Sequence, residues 1–418
     1  MDRIESLDVL RGFALLGILL LNILGFGLVS AAFLDPGIFV SPIGGIDYIV
    51  WSLVEISSEG AMRTLFSILF GAGVVLFLTG SSAKSAWFHY RRNFWLLIFG
   101  LINIYVFLWP GDILVTYALS GFVLWFIRNW KARNLLILAT FLVSIGSLQN
   151  FVLKDSLEIA RDAAIEEKAS FANGEEVSEE ISEWAQAWRE YERDNKVEID
   201  TIQIEIEKRT TSYASAYEFN LKAASDTIYY LIPFFLFLDA LMMMVVGMAL
   251  FKLNILDGKK DIRFYIRMMS ICFLVGLSIN TYEVWMITNS NMDILETNPY
   301  LRSTYHFGRL FMALGYIGMI VVLMKIDKFS SLRLRLACVG KMALTNYLMH
   351  SVIALFIFSG AGFGLLGKLT WSQLYLIVPL IWALQLYISP LWLKYFNFGP
   401  VEWLWRLLTY LKIPKMIK

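Results

Sequence analysis

Cysteine and histidine are scarce: Cys272, Cys338, His89, His306 and His350 are all there are of either among 418 residues. Both cysteines fall inside long apolar runs, so neither a disulfide framework nor a zinc site can be built from them, and no metal is expected. Charge is sparse as well, with Asp, Glu, Lys and Arg at 17% where soluble domains carry about 25%. At 58% hydrophobic residues and a mean hydropathy of +0.61, the chain is poorly described as a soluble helical enzyme.

What fills the sequence is apolar runs. Ten of them cover residues 9–30, 61–80, 93–109, 111–128, 134–153, 226–251, 264–287, 305–325, 336–360 and 374–396. A helix needs about 20 apolar residues to cross a bilayer. Lys84, Arg91 and Arg92 follow the second run, Arg128, Lys131 and Arg133 the fourth, Lys252, Lys259, Lys260 and Arg263 the sixth, and Lys328, Arg333 and Arg335 the eighth. The opposite ends carry almost no Lys or Arg. By the positive-inside rule this alternation predicts an all-α polytopic membrane bundle of about ten transmembrane helices with both termini cytoplasmic. Arg3 before an apolar run and Ala31-Ala32 after it imitate a signal peptide, but Asp8 and Arg11 intrude. The run also exceeds the usual h-region of about 7–15 residues, so it is read as a retained first helix.

The charge is unevenly spread. Residues 154–209 hold 17 of the 35 acidic residues but 8 of the 36 basic ones, a net −9, against about +10 for the rest. An acidic loop outside and a basic face inside suit a bacterial inner membrane and speak against nucleic acid as a partner. The expected organisation is a five-helix half at 1–153, an acidic helical extracytoplasmic insert at 154–225, a second five-helix half at 226–396 and an amphipathic cytoplasmic tail at 397–418. Within the insert, Ser178-Glu179-Glu180-Ile181 opens a helical run through Trp184, Trp188 and Tyr191, Asn173-Gly174 breaks it, and Ile199 to Ile206 is ambiguous between helix and strand. The insert fits an external helical hairpin lying on the membrane or on its symmetry mate, or a substrate lid. Residues 46–58 look like an interfacial or re-entrant helix.

Charge within a span costs some 2.5–3.5 kcal/mol on insertion scales, so intramembrane polar groups are functional candidates. Asp8 and Arg11, three apart, can pair on one face at the start of the first helix, with Asn22 farther in. They serve as ligand contacts or merely anchor the helix. Asp112, in the turn Trp109-Pro110-Gly111-Asp112, can cap the following helix. It also shares a depth with Glu55, Glu59, Arg63, Glu283, His306 and Arg309, a mixture suited to acid/base work or an anionic ligand. Lys341, Thr345, Asn346 and His350 follow near-helical spacing, which carries His350 past the midplane, as a base or as a helix-to-helix hydrogen bond. His89 falls in a basic loop and is expected to be solvated.

Together these stretches resemble the YeiB family of bacterial inner-membrane proteins. The matching segments begin with Ser6-Leu7-Asp8-Val9-Leu10-Arg11-Gly12, Leu69-Phe70-Gly71-Ala72-Gly73 and Gly111-Asp112-Ile113-Leu114. Gly340-Lys341-Met342-Ala343-Leu344-Thr345-Asn346-Tyr347 and Gly399-Pro400-Val401-Glu402-Trp403-Leu404-Trp405-Arg406 complete the set, in family order. The resemblance implies kinship with transmembrane acyltransferases, among them the heparan-glucosaminide acetyltransferase: a bundle that takes an acyl group from cytosolic acyl-CoA and gives it to a small-molecule, glycan or lipid acceptor reached from outside. It further implies a homodimer surrounded by membrane lipids. On that reading His350, Asp112 and His306 are the candidate catalytic residues. Asp8, Arg11, Asn22, Arg63, Lys341, Thr345, Asn346, Glu402 and Arg406 are the candidate ligand contacts, Arg11, Arg92, Lys341 and Arg406 forming a basic mouth for phosphates. The chain departs from the family pattern at Asn103, where a histidine is common, and at His350, where glutamine is. A transporter of a small anionic or lipid-like molecule, or a dimeric lipid-binding scaffold, are the alternatives.

Overall fold

The computed structural model describes residues 4–40, 42–79, 85–326 and 329–418. Arg3, Lys84 and Lys328, used above to orient the chain, lie outside the described residues. Helix α1 (Glu5–Gly27) leads through two single turns, α2 (Ala31–Leu34) and α3 (Gly37–Val40), into α4 (Ile46–Ser58) and α5 (Ala61–Leu78). Between α4 and α5, Gly60 takes a φ of 62°, a left-handed turn that a side chain would oppose. Helices α6 (Ala86–Tyr105) and α7 (Leu114–Ile127) form the next hairpin, followed by α8 (Ala132–Asn173), α9 (Glu179–Asn195), α10 (Ile199–Thr211) and α11 (Tyr213–Asp226). A π-helical stretch, Thr227–Leu236, joins α11 to α12 (Phe237–Lys252) and contains Pro233, whose missing N–H a widened turn accommodates. Then come α13 (Ile262–Asn289), α14 (Ile294–Ile326), α15 (Ser330–Lys341), α16 (Ala343–Phe358), α17 (Trp371–Tyr395) and α18 (Pro400–Tyr410).

The described chain is all-α. Seven helical stretches are long and apolar enough to cross a membrane, and the bent pair α15 and α16 makes an eighth. The protein is therefore an integral membrane protein. α6 and α7 occupy the other two of the ten sequence runs, but α7 has only 14 residues because the Pro110-Gly111 turn delays its start to Leu114.

Two elements differ in shape from the sequence expectation. The ninth run is not one straight helix: it bends by 81° between Lys341 and Ala343, so Lys341 and His350 do not share a helical face. The fifth run does not stop at residue 153, since α8 continues unbroken for 42 residues to a left-handed Gly174. At about 1.5 Å per residue, roughly 60 Å in all, it is twice the hydrocarbon thickness. Its membrane half turns Ile137, Phe141, Leu148 and Phe151 outward, while the polar half pairs with α9 through Glu167 and Arg189. Ser178 caps α9 by accepting from the Ile181 N–H, and the ambiguous run after Ile199 is helix α10.

The bundle centre is made by α1, α5, α7, α12 and α16, with Leu10, Leu15, Ile68, Tyr117, Met244 and Val245 essentially sealed. Two helix crossings there are backbone-close. Gly12 faces the Leu336 carbonyl and Gly340 the Asp8 carbonyl, which locks α1 onto α15. Likewise Gly71 faces the Met244 carbonyl and Gly247 the Ile68 carbonyl, which locks α5 onto α12. In lipid, where apolar burial between helices drives little, such small-residue contacts hold spans together. Gly340→Ala and Gly71→Ala should each lower stability by about 1–3 kcal/mol through overpacking. Gly73→Ala, whose added carbon meets only the flexible tip of Arg11 at 3.3 Å, should melt near wild type. Thermal unfolding of the three detergent-purified variants checks this, and equal midpoints would refute the crossing argument.

Candidate functional site

Two cavities enter the bundle from opposite ends of the same helices. The first, about 580 Å³, is lined by Arg11 early in α1, Phe70 and Phe77 in the later half of α5, and Arg92 early in α6. The second, about 750 Å³, is lined by Asn22 late in α1, Arg63 and Ser67 in the early half of α5, and Trp109 and Asp112 beyond the end of α6. They meet at Tyr117, which lines both. Its hydroxyl lies 2.7 Å from Ser67 Oγ. Beside it, Tyr347 lines the first cavity and accepts the Ile113 N–H at 3.1 Å. The same hydroxyl donates to Asp112 Oδ2 at 3.4 Å.

Asp112 is held from three sides. Asn103 Nδ2 donates to Oδ2 at 2.7 Å and the Val115 N–H to Oδ1 at 3.0 Å, so the carboxylate caps α7 while it faces the second cavity. Tyr117, Tyr347 and Asp112 thus form a single polar layer between the two voids.

Cations dominate the mouth of the first cavity. Arg92 stacks on Phe77 and Trp405 at 5.0 and 4.5 Å, and Arg406 on Phe398 at 4.4 Å. Arg11 pairs with the buried Asp8 at 3.4 Å. Lys341 also lines the mouth, and among the described residues neither its ammonium nor the Arg92 guanidinium has a hydrogen-bond acceptor. Among the described residues Glu402 supplies the cavity's one carboxylate, already engaged: Oε1 accepts the Leu344 and Thr345 N–H groups at 2.7 and 3.0 Å, and Oε2 accepts from Thr345 Oγ1 at 2.5 Å. Burial pushes the Glu402 carboxyl above its ordinary range, with these hydrogen bonds pulling the other way. The tail helix α18 is therefore more than a headgroup-level rider, because it caps the new N-terminus that the bend creates in α16. Asn346 serves the same bend, donating to the Val339 carbonyl at 3.2 Å and to Ser389 Oγ at 3.0 Å; it lines neither cavity.

The second cavity is walled by both charge signs. Asp239 on α12 accepts from Arg309 Nη1 at 2.8 Å and lies 3.4 Å from Arg63 Nη2. From the insert, α10 contributes Glu205 and Arg209. Glu205 accepts from the Ser30 N–H and hydroxyl at 2.9 and 3.1 Å, and Arg209 donates to Glu205 at 2.7 Å. The end of the insert is thus a cavity wall.

Two histidines expected at the chemistry stand apart from both cavities. His350 donates through Nε2 to Gln385 Oε1 at 3.0 Å, while Gln385 donates to the Asn346 carbonyl at 3.0 Å, which ties α16 to α17. His306 meets Arg309 at Nδ1, 2.8 Å away, and Asn150 Nδ2 at Nε2, 3.2 Å away. His89 is not solvated: it is 1% exposed, with Nε2 2.7 Å from the Gly121 carbonyl.

Comparison with known proteins agrees with the motifs. Residues 250–412 match the family described as "Protein of unknown function (DUF418)". The chain is 30% identical to "Uncharacterized protein YxaH" of Bacillus subtilis over 98% of this chain and 95% of that protein. It is 29% identical to "Uncharacterized protein YeiB" of Escherichia coli over 98% and 97% of the two chains. The chain belongs to the YeiB family. No solved structure matches it.

In this YeiB-family protein the sequence motifs converge on the layer and on the basic mouth, yet four participants escaped the sequence reading. Tyr117 carries no local signal. Asp239 is the one carboxylate in the interior of the apolar run 226–251, Asp226 being its first residue, and that was a signal to use. Glu205 and Arg209 looked like ordinary i, i+4 surface charges until α10 folded back. If Glu402 caps α16 as described, Glu402→Ala should cost about 1–2 kcal/mol and Glu402→Gln less, since the amide oxygen still accepts. Unfolding midpoints equal to wild type for both would remove the capping role.

Proposed function

We propose that this protein transfers an acyl group from a cytosolic acyl-CoA, held in the first cavity, to an acceptor in the second, through the layer of Tyr117, Tyr347 and Asp112. The observation that carries this reading is the contact of two opposed cavities at that layer. The basic mouth fits the phosphates of such a carrier: Lys341 and Arg92 lack acceptors among the described residues, and Arg11 and Arg406 stand beside them. Deeper in, Phe66, Phe70 and Leu114 suit a thioester arm and acyl chain. The carrier supplies an activated carbonyl. Tyr347 and Tyr117 present hydroxyls that can turn to its oxygen, and Asp112 can take the proton of an acceptor hydroxyl arriving through the second cavity as that oxygen bonds the acyl carbon; the carbon–sulfur bond then breaks and the CoA thiolate takes the proton from Asp112 and leaves as the free thiol through the first cavity. In this scheme the basic mouth faces the cytoplasm of a bacterial inner membrane.

A transporter is the second reading, favoured by the same pair of cavities, which would alternate in access across the layer. Assaying release of free CoA thiol by the purified protein, with membrane lipid and glycan extracts as acceptor, separates the two. Asp112→Asn should lower turnover by about 10²–10⁴-fold. Lys341→Ala and Arg92→Ala should chiefly raise KM for the acyl-CoA. Absence of thiol release, together with flux of a cargo into vesicles without any acyl donor, would overturn acyl transfer in favour of transport.

A further inference from the structure

A third cavity, about 340 Å³, adjoins the second and shares Phe33, Glu59 and Tyr305 with it. Its walls carry three carboxylates: Glu55 on α4, Glu59 after it, and Glu283 on α13. Among the described residues none of the three has a cation within ion-pair distance. Glu59 senses Arg63 and Arg309 from farther off, whereas the charged neighbours of Glu55 are Glu59 and Glu283, both of its own sign. Burying unpaired like charges side by side is costly, and a bound cation would offset that cost.

Further observations narrow the occupant. Among the described residues no three acidic, histidine or cysteine side chains converge closely enough to hold a metal ion. The remaining walls are largely apolar and include the rings of Trp51, Trp371, Tyr305 and Phe33. Ring faces and spaced carboxylates together favour a diffuse alkylammonium over a compact, strongly hydrated ion. Trp371 is 3% exposed, its ring lines the cavity, and its indole N–H has no acceptor among the described residues. A buried N–H of this kind calls for an oxygen on the ligand. The acidic walls disfavour a carboxylate there, so a hydroxyl, ether or ester oxygen is the matching group.

We infer that this third cavity is a binding site for an organic ammonium that carries a neutral oxygen acceptor. The ammonium lies among Glu55, Glu59 and Glu283, and the oxygen takes the Trp371 N–H. The site does not rest on acyl transfer, because binding is read with no acyl donor present.

The test uses the full chain in nanodiscs, with saturable thermal protection or calorimetric heat as readout. Choline is the probe, and tetramethylammonium, the neutral isostere 3,3-dimethylbutan-1-ol and potassium are the comparisons. Choline should bind saturably, tetramethylammonium more weakly, and the neutral isostere and potassium at least tenfold more weakly still. Glu55→Gln combined with Glu283→Gln should weaken choline at least tenfold. Trp371→Phe, which keeps the ring and removes the N–H, should erase the preference for choline over tetramethylammonium. Equal binding of the neutral isostere would reduce the cavity to an apolar void, and equal protection by potassium would make it an inorganic cation site; either overturns the proposal. Should the double variant fail to fold, the ligand series on wild type and the Trp371→Phe variant still decide.

Discussion

The structure depends on how one carboxylate is satisfied inside a bilayer. Asp112 lines the second of two voids that enter from opposite ends of the bundle, beside the Tyr347 that lines the first, and is 1% exposed. Its oxygens are met by Asn103 from α6, the Val115 amide of α7 and the Tyr347 hydroxyl of α16. Each donor comes from a different helix, so the carboxylate ties three helices at one depth. Remove it and Asn103, Tyr347 and the first turn of α7 all lose an acceptor inside the bundle.

A second consequence of life without water is visible where α15 turns into α16. Breaking a helix within the membrane leaves amides and carbonyls unpaired, and this chain answers with one side chain from the far end of the sequence and one from the next turn. Glu402 takes two amides of the new helix start, and Asn346 takes the Val339 carbonyl. The bend in turn directs Lys341 into the basic mouth. The tail is thus part of the cavity wall because the bend requires a cap.

Much of this was legible in the sequence. Apolar run length and flanking Lys and Arg mark the spans, since hydropathy reports directly on the solvent. Asp112 as a helix cap follows from the Pro110-Gly111 turn, and the Asp8 and Arg11 pair from their spacing. What the sequence concealed has a common cause: it lies in contacts between distant segments. No local pattern distinguishes a bent run from a straight one at Met342, and this misplaced Lys341 relative to His350. Nothing near His350 foretells Gln385, thirty-five residues on, whose amide absorbs the imidazole into helix packing. Tyr117 is one apolar-looking residue in an apolar helix until Ser67 and the two cavities are set beside it. Gly71 and Gly340 gain their meaning only from the carbonyls they meet.

The 42-residue α8 has an effect of its own. A hinge would let the acidic insert swing freely on the bundle, but an unbroken rod offers none. Tilting the outer hairpin must tilt the same rod where Asn150 meets His306, and so strain the Arg309 and Asp239 cluster behind it. Displacement of the insert is in this way geared to Asp239 in the wall of the second cavity.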